Sequence, residues 1–302
     1  MNSIPTNIDF VKWYHEMEAA VAVRPAKDII KQAIDLLQAE PAEPVLMPWP
    51  KVKDRFSFRP AEVTVYAGTN GSGKSLITGM IALQLIAQGR RVLIASFEMK
   101  PTTTLQRMVR QWTASSCPGV EQYEAFAKWV GDKLWFYDKQ GATGPEQVIG
   151  VGHYAATQHK VNDYFVDSLM KCVSGEDDYN AQKNFVSDCT NLARDTDLHI
   201  HLVHHIRKAA NDETMPQKVD LKGSGSNSDK HDNVWLMWRN KKKERSVEAG
   251  LIVDVAEPDA MLLCEKQRNG DHEPRLRLWF DRQSQQFVEQ AGANAYRFVA
   301  TL

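Results

Sequence analysis

At residues 68–75 the chain carries the sequence Gly68-Thr69-Asn70-Gly71-Ser72-Gly73-Lys74-Ser75. It fits the pattern G-x-x-x-x-G-K-S/T at every fixed position, with a β-rich run directly before it and a helical stretch directly after it. Glycines let successive backbone N–H groups curl around a phosphate at the positive N-terminus of a helix. Lys74 adds a point charge for the β- and γ-phosphates, and Ser75 can ligate Mg²⁺. The segment is therefore predicted to be a phosphate-binding loop.

Short β-rich runs alternate with helical stretches from Glu62 onward. The runs are 63–67, 91–97, 134–137, 164–167, 199–204 and 234–238. This alternation is typical of a parallel sheet wrapped by helices. The helical stretch 74–88 ends at Gly89, a residue suited to a left-handed cap. The sequence predicts an α/β domain with a mostly parallel central sheet.

Residues 9–39 have apolar side chains at helical spacing and are predicted to form one or two helices. Pro41, Pro44, Pro48 and Pro50 follow, which predicts a stiff extended connector over residues 41–60. We therefore expect a helical arm and linker at 1–59, the main domain at 60–292 and a tail at 293–302. The arm is too small to form its own core, so its predicted place is a groove on a neighbouring subunit.

Composition excludes several classes of protein. The chain has 302 residues, 43% hydrophobic and 25% charged, which is ordinary for a globular protein and excludes dominant disorder. With 37 Lys and Arg against 38 Asp and Glu, it is not a polycation, so any nucleic-acid site must be local. Its four cysteines have no Cys-x-x-Cys pair and are expected to be reduced core thiols. Because no apolar run reaches the roughly 18 residues that span a bilayer and the start lacks a secretory leader, we expect a cytoplasmic protein.

Two carboxylates are predicted to lie at strand ends near the phosphate-binding loop. Asp167 closes the run 164–166, and Glu98 closes the run 92–97. Nucleotide hydrolysis needs an acid that holds the metal shell and a base that orients the attacking water. A strand-ending Asp is also a common turn former, but two such carboxylates in an α/β sheet favour a site. Asp167 is predicted to be the carboxylate of the metal shell.

Four segments resemble motifs of the DnaB-like replicative helicases, in the order of that family. Residues 96–101, Ser-Phe-Glu-Met-Lys-Pro, resemble the S-L-E-M-P signature, and residues 202–208 resemble the strand and loop that carry the γ-phosphate sensor. Residues 220–226, Asp-Leu-Lys-Gly-Ser-Gly-Ser, resemble the D-L-R-x-S-G-S loop that contacts single-stranded DNA. Residues 266–270 contain the K-Q-R-N-G string of the family. The resemblance runs from about residue 60 to residue 290.

The resemblance implies a RecA-like P-loop NTPase fold, a ring, expected to be a hexamer, and hydrolysis of ATP with Mg²⁺ at the subunit interfaces. It implies Glu98 as the catalytic base and His205 as the sensor, a position that is His in phage and mitochondrial relatives. Translocation 5′ to 3′ on single-stranded DNA is likewise implied. Residues 1–59 are fewer than the family's collar domain or a fused primase needs, so we expect a helicase motor of phage or plasmid type, with any primase or loader as a separate partner.

The DNA contact is predicted in the flexible loop 207–225, where cations stand among small residues. Lys222 stands where the family usually has Arg, and Gly223 often corresponds to an acid in the family. The candidate DNA-binding residues are Arg207, Lys208, Lys218, Lys222, Gly223, Ser224 and Gly225.

Lys266 and Arg268 are predicted to act on the ATP of the adjacent subunit. They alternate with Gln267 at a strand end, so both side chains point to one face. The transition state of phosphoryl transfer spreads charge over oxygens that face away from the phosphate-binding loop. We expect Arg268 to be the finger and Lys266 to lie beside it.

Other signals leave alternatives open. His199, His201 and His204 alternate with apolar residues, and no second group of metal-ligating residues accompanies them. This pattern favours ordinary strand residues over ligands of a metal ion. The basic run 239–245 is predicted to be a solvated loop, with a phosphate-contacting stripe as the alternative. For function, a helicase motor is the first hypothesis. The others are a RecA-, KaiC- or RadA-like ATPase, including a recombination or loader factor, that does not unwind duplex, and a nucleotide switch that recruits partners.

Overall fold

The computed structural model describes residues 2–3, 8–16, 25–39, 42–173, 178–206, 215–216 and 230–298. Its strands are β1 Asn2–Ser3, β2 Val63–Gly68, β3 Val92–Ser96, β4 Leu134–Phe136, β5 Asp163–Asp167, β6 His199–His205, β7 Asn233–Arg239, β8 Ala260–Gln267, β9 Arg275–Asp281 and β10 Gln286–Val288. They form a sheet in the order β1-β4-β3-β5-β6-β2-β7-β8-β9-β10. The strands from β1 to β7 pair in parallel, whereas the β7–β8, β8–β9 and β9–β10 pairs are antiparallel. The prediction of an α/β domain with a mostly parallel sheet is confirmed.

Helices cover both faces of this sheet. They are α1 Phe10–Glu16, α2 Ala26–Gln38, α3 Lys74–Ala87, α4 Pro101–Thr113, α5 Val120–Val130, α6 Pro145–His159, α7 Tyr179–Thr196 and α8 Lys241–Glu248. One apolar core holds buried residues of α1, α6 and α7, and a second holds those of α3, α4 and α5. Because successive side chains of a strand point to opposite faces, Val65 of β2 enters the first core and Tyr66 enters the second.

β2 lies in the middle of the sheet, and all six of its residues are buried. It pairs in parallel with β6 on one side and β7 on the other, as expected for an apolar strand covered on both faces. The carboxyl ends of β2, β3, β5 and β6 therefore lie at one edge of the sheet. The helix after β2 is confirmed, since α3 begins at Lys74 and Gly89 beyond its end has a φ of +80°.

The segment 42–58 belongs to the domain. Trp49, Phe56 and Phe58 are buried in the core that contains α3, and the Trp49 Nε1 donates a hydrogen bond of 2.9 Å to the Phe287 carbonyl. The segment folds back on itself through an antiparallel bridge between Val45 and Phe58. The prediction of a stiff extended connector is wrong, because burial of the large apolar side chains in this segment contributes more free energy than the prolines contribute by favouring an extended backbone.

The end of the described chain also packs on the domain. The Tyr296 backbone N–H donates to the Gln286 side chain at 2.7 Å, and Phe298 is buried in the same core as Trp49. The apolar core therefore extends across residues 59 and 293, where the boundaries of the main domain were expected.

α1 packs against its own domain. The Phe10 side chain is buried beside α6 and contacts the Tyr137 and Tyr154 rings edge-on. A Cβ at Gly150 of α6 would lie only 1.9 Å from the Phe10 carbonyl oxygen, so the absence of a side chain there permits this close approach. The expectation that the whole arm lies on a neighbouring subunit is wrong for α1.

α2 differs from α1, because its apolar side chains are exposed. Ile29, Ile30 and Ile34 are about half exposed, and Leu36 and Leu37 are 76% and 85% exposed. The helix has a strongly one-sided distribution of apolar residues, which normally faces a core or a partner. The predicted docking on a neighbouring subunit stays a prediction for α2 alone.

The basic run 239–245 is not a loop. Arg239 ends β7, and α8 begins at Lys241 with the Asn240 side chain capping its N-terminus at the Lys243 N–H. Lys243 is buried and forms an ion pair of 2.7 Å with Asp259. The prediction of a solvated loop is wrong, because Asn240 supplies a helix cap and Asp259 neutralises the buried cation.

Three of the four cysteines, Cys172, Cys189 and Cys264, are buried, while Cys117 is exposed, and all four are free thiols. The expectation of core thiols therefore fails at Cys117. Among the described residues, no helix combines the length and the apolar character that crossing a membrane requires.

Candidate active site

The phosphate-binding loop forms a tight turn between β2 and α3. Gly73 has a φ of +101°, a left-handed conformation that favours glycine. A Cβ at Gly68 would lie 2.6 Å from the Met237 carbonyl oxygen, so the backbone passes β7 too closely for a side chain. The Ser72 Oγ is buried and has no hydrogen-bond partner within the described part of the chain. A cradle of this shape with an unused hydroxyl fits a phosphate group.

Lys74 lies inside the loop. Its Nζ donates hydrogen bonds of 2.9 Å to the carbonyls of Gly68 and Thr69. Burial lowers the pKa of Lys74 to about 8, while the Asp167 and Glu98 carboxylates oppose this shift. The ammonium group is therefore held in a poorly hydrated place where an anion would stabilise it.

The two residues predicted to ligate a metal ion touch each other. The Ser75 Oγ donates a hydrogen bond of 2.8 Å to the Asp167 Oδ2. Burial raises the pKa of Asp167, and the hydrogen bond from Ser75 opposes this shift. No group of three or more metal-ligating side chains occurs among the described residues. The pair fits Mg²⁺, which is commonly held by one or two protein oxygens together with water and phosphate oxygens of a substrate.

Glu98 and His205 meet at the same edge of the sheet. The His205 Nε2 lies 3.2 Å from the Glu98 Oε1, and the buried Ser168 Oγ donates a hydrogen bond of 2.9 Å to the same oxygen. Glu98 follows β3, His205 ends β6, and Ser168 follows β5. The parallel order of these strands brings the predicted base and the predicted sensor together.

The other strand histidines have partners in the core. The His199 side chain contacts the Thr64 hydroxyl at 2.8 Å and the Arg59 carbonyl at 2.6 Å. His201 lies 3.2 Å from the Asp163 carboxylate, which also accepts a hydrogen bond from Arg90. Burial lowers the pKa of His199 to about 3. These contacts place both side chains in the interior, away from the edge that carries Glu98.

Arg268 lies apart from the phosphate-binding loop of its own chain, at the end of β8. Its Nη1 forms an ion pair of 2.8 Å with the Asp232 Oδ1, and its backbone N–H donates to the Asp232 carbonyl. Lys266 lies two residues earlier on β8 and is partly exposed. The end of β8 pairs with the start of β7, at the edge of the sheet opposite the phosphate-binding loop, so these two cations lie away from Lys74. Their action on a neighbouring site stays a prediction.

The candidate DNA-binding residues lie outside the described residues. These are Arg207, Lys208, Lys218, Lys222, Gly223, Ser224 and Gly225. The described residues stop at Ile206, which follows β6, and apart from residues 215–216 they resume at Lys230, just before β7. β6 ends beside Gly68, at the edge of the sheet that carries the phosphate-binding loop, whereas β7 begins beside Thr64, at the opposite edge.

Sequence reasoning missed several residues around the loop. Arg239 donates to the Gly71 carbonyl at 3.1 Å, and a Cβ at Gly73 would lie 3.0 Å from the Phe287 ring. A cavity of about 320 Å³ lies beside them. Its lining includes Arg239, Lys243, Val255, Trp279, Phe280 and Phe287. Arg239 and the aromatic residues come from distant strands, so no local spacing in the sequence marks this cavity.

A family model described as the AAA domain matches residues 50–211, which is more than half of the chain. This chain belongs to the AAA domain family. The match contains the phosphate-binding loop, Glu98, Asp167 and His205. Membership in this family, together with the geometry of the loop, identifies the domain as a P-loop ATPase domain that binds nucleotide.

Two solved structures share the fold of this AAA domain protein. One, described as an ATPase domain, has a TM-score of 0.70 and 14% identity, and the match covers 89% of this chain and 99% of that chain. The other is a DnaB-like replicative helicase described with its interactions with primase. It has a TM-score of 0.68 and 14% identity, covering 92% of this chain and 75% of that chain. The predicted RecA-like architecture agrees with both neighbours.

Proposed function

We propose that this protein is an ATP-dependent DNA helicase motor that translocates 5′ to 3′ on single-stranded DNA as a hexameric ring. The observation that carries the proposal is one sheet edge that unites the phosphate-binding loop, the Ser75–Asp167 pair and the Glu98–His205 pair. The K-Q-R-N-G string at 266–270 and a fold shared with a DnaB-like replicative helicase support it.

Each residue at this edge has a defined task in ATP hydrolysis. Lys74 neutralises charge on the β- and γ-phosphates, and Ser75 and Asp167 hold the shell of Mg²⁺. When bound, Mg²⁺ would neutralise the charge that develops on the phosphate oxygens. Glu98 orients the attacking water and takes its proton, while His205 contacts the γ-phosphate and thereby distinguishes ATP from ADP.

The cavity beside the loop is the proposed place for the nucleoside. Arg239 and Phe280 can stack on a base, and Phe287, which also lines the cavity, lies against the loop turn at Gly73. Two of the polar side chains of the cavity have partners within the chain, since Lys243 pairs with Asp259 and the Trp279 Nε1 donates to the Val255 carbonyl. The base is therefore held mainly by stacking.

The proposed substrates and partners follow from the same motifs. Single-stranded DNA is contacted by the seven candidate residues between Arg207 and Gly225, through its phosphates rather than its bases. The ring places the Lys266 and Arg268 cations of one subunit at the nucleotide of the next. A separate primase or loader is the proposed partner of the ring.

The test is strand displacement on a forked DNA duplex with ATP and Mg²⁺. We expect unwinding that requires a free 5′ single-stranded arm, together with ATPase activity that single-stranded DNA stimulates. The matched control is Lys74→Ala, which removes charge at the phosphates and no apolar packing, and which should abolish both activities.

Other results would favour the other functions. DNA-stimulated ATPase without displacement would indicate a RecA-, KaiC- or RadA-like ATPase. ATPase activity that DNA does not change would indicate a nucleotide switch. Hydrolysis retained in Lys74→Ala would refute the assignment of the phosphate-binding loop itself.

A further inference from the structure

Two donors contact one oxygen of the Glu98 carboxylate. The Ser168 Oγ donates to Oε1 at 2.9 Å, and the His205 Nε2 lies 3.2 Å from the same atom. Both contacts fall on Oε1, which leaves Oε2 for a water molecule. The two donors come from different strands, so the carboxylate is held from two directions.

The two donors differ in how firmly they are held. The Ser168 side chain is fully buried, whereas the Glu98 side chain is about one third exposed and His205 is about one quarter exposed. The Ser168 carbonyl accepts the Lys171 N–H at 3.0 Å and the Cys172 thiol at 3.4 Å, which fixes the backbone that carries the hydroxyl. Ser168 is therefore the rigid contact of Glu98.

A glutamate side chain has three rotatable bonds, and ordering it costs conformational entropy. A base that must meet a water molecule in one geometry loses rate when its carboxylate rotates away, and a misplacement of about 1 Å can cost about 100-fold. His205 cannot hold Glu98 throughout turnover if it also contacts the γ-phosphate. A fixed second donor is then required whenever His205 turns to the nucleotide.

We propose that Ser168 is a positioning residue for Glu98: its hydroxyl holds Oε1 through the catalytic cycle and so presents Oε2 to the attacking water. Ser168 does not touch the reacting atoms and acts through Glu98. This inference rests on the proposed role of Glu98 in ATP hydrolysis.

The test measures steady-state ATPase activity and nucleotide binding in Ser168→Ala. We expect kcat to fall about tenfold while the KM and the Kd for ATP stay within about twofold, because the loop and Lys74 are unchanged. Ser168→Thr keeps the hydroxyl and should recover most of kcat. Ser284→Ala is the matched control, since it also removes a fully buried hydroxyl that donates to a carboxylate, that of Asp281, outside the site, and its kcat should equal that of the parent.

A second comparison separates positioning from a loss of packing. In a Glu98→Gln background, adding Ser168→Ala should not lower the residual rate further, because the base is already absent. An unchanged kcat in Ser168→Ala, or an equal fall in Ser284→Ala, would overturn the inference. If the parent protein itself hydrolyses no ATP, the proposed function fails instead, so the two failures are distinguishable.

Discussion

Lys74 shows how a single residue can be held ready for a ligand. Its ammonium group is buried and hydrogen-bonded to two carbonyls of its own loop, and this environment lowers its pKa to about 8. Carbonyl groups satisfy its donors without neutralising its charge. A phosphate anion would supply that missing charge, which is why the free energy of nucleotide binding should depend strongly on this one side chain.

Replacing Glu98 with Gln should separate nucleotide binding from hydrolysis. The amide has the shape of the carboxylate and can still accept from Ser168, but it cannot take a proton from water. We expect ATP to bind within about threefold of the parent and kcat to fall at least about 100-fold. Fluorescent-nucleotide titration and phosphate release measure the two effects. Glu121→Gln, on the exposed first turn of α5, is the control, and a variant with near-parental turnover would place the base elsewhere.

Among the secondary-structure elements, those around the site were predictable and the connections were not. β2 and α3 follow from an apolar run, a glycine-rich turn and a helical period, all within 26 residues at 63–88. Segment 42–58 was mispredicted because its prolines suggest extension, whereas its burial depends on Phe287, about 240 residues away. The Ser168–Glu98 contact could not be predicted from the sequence either, because the two residues follow different strands and meet only in the folded sheet.

α2 should contribute to assembly through its exposed apolar face. Ile30→Asp combined with Leu37→Asp would place two charges on this face without touching the buried core of the domain. We expect these substitutions to shift the protein from a ring to monomers at micromolar concentration, as measured by light scattering. Lys31→Asp, on a different side of the helix, should leave the ring intact. If the double variant stays assembled, α2 has another role.

At the scale of the assembled molecule, Arg268 should act in a neighbouring site. Its partner Asp232 is fixed by a second contact with the Val63 N–H, so release of Arg268 would not disturb the position of Asp232. An arginine finger supplied from another subunit contributes about 10³ to 10⁵ in rate. Arg268→Ala should therefore lower kcat by about 10³ or more while the Kd for ATP changes little.

Mixing two inactive variants tests this arrangement. Arg268→Ala subunits keep an intact phosphate-binding loop, and Lys74→Ala subunits keep an intact Arg268. Mixed rings should regain ATPase activity at interfaces where the two intact residues meet. Absence of recovery, in rings shown to exchange subunits, would exclude action between subunits.

The buried histidines should make the folded protein sensitive to acid. Burial lowers the pKa of His199 and of His231 to about 3, and that of His204 to about 4. Between pH 6.5 and these values the unfolded chain binds protons that the folded chain excludes, so the free energy of unfolding decreases as the pH falls. Within this window, each of these histidines lowers the free energy of unfolding by at most about 1.4 kcal/mol for every unit by which the pH falls.

Urea denaturation at pH 7 and at pH 5 measures the effect. We expect lower stability at pH 5, and His231→Gln should reduce the difference between the two pH values because it removes one of the excluded protons. Equal stability at both pH values would contradict the neutral, buried state of these side chains.

The contact between Trp49 and Phe287 also has a consequence for biosynthesis. The two residues are 238 positions apart, and Lys51 contacts Glu289 at the same separation. Translation at about 5–20 residues per second leaves an interval of about 10–50 s before the second partner of each pair is made. During that interval, some of the residues that bury the side chains of Trp49, Phe56 and Phe58 have not yet been made. The nascent chain therefore presents an aromatic segment to chaperones until Phe287 and Glu289 have been made, and the domain cannot complete its folding before that point.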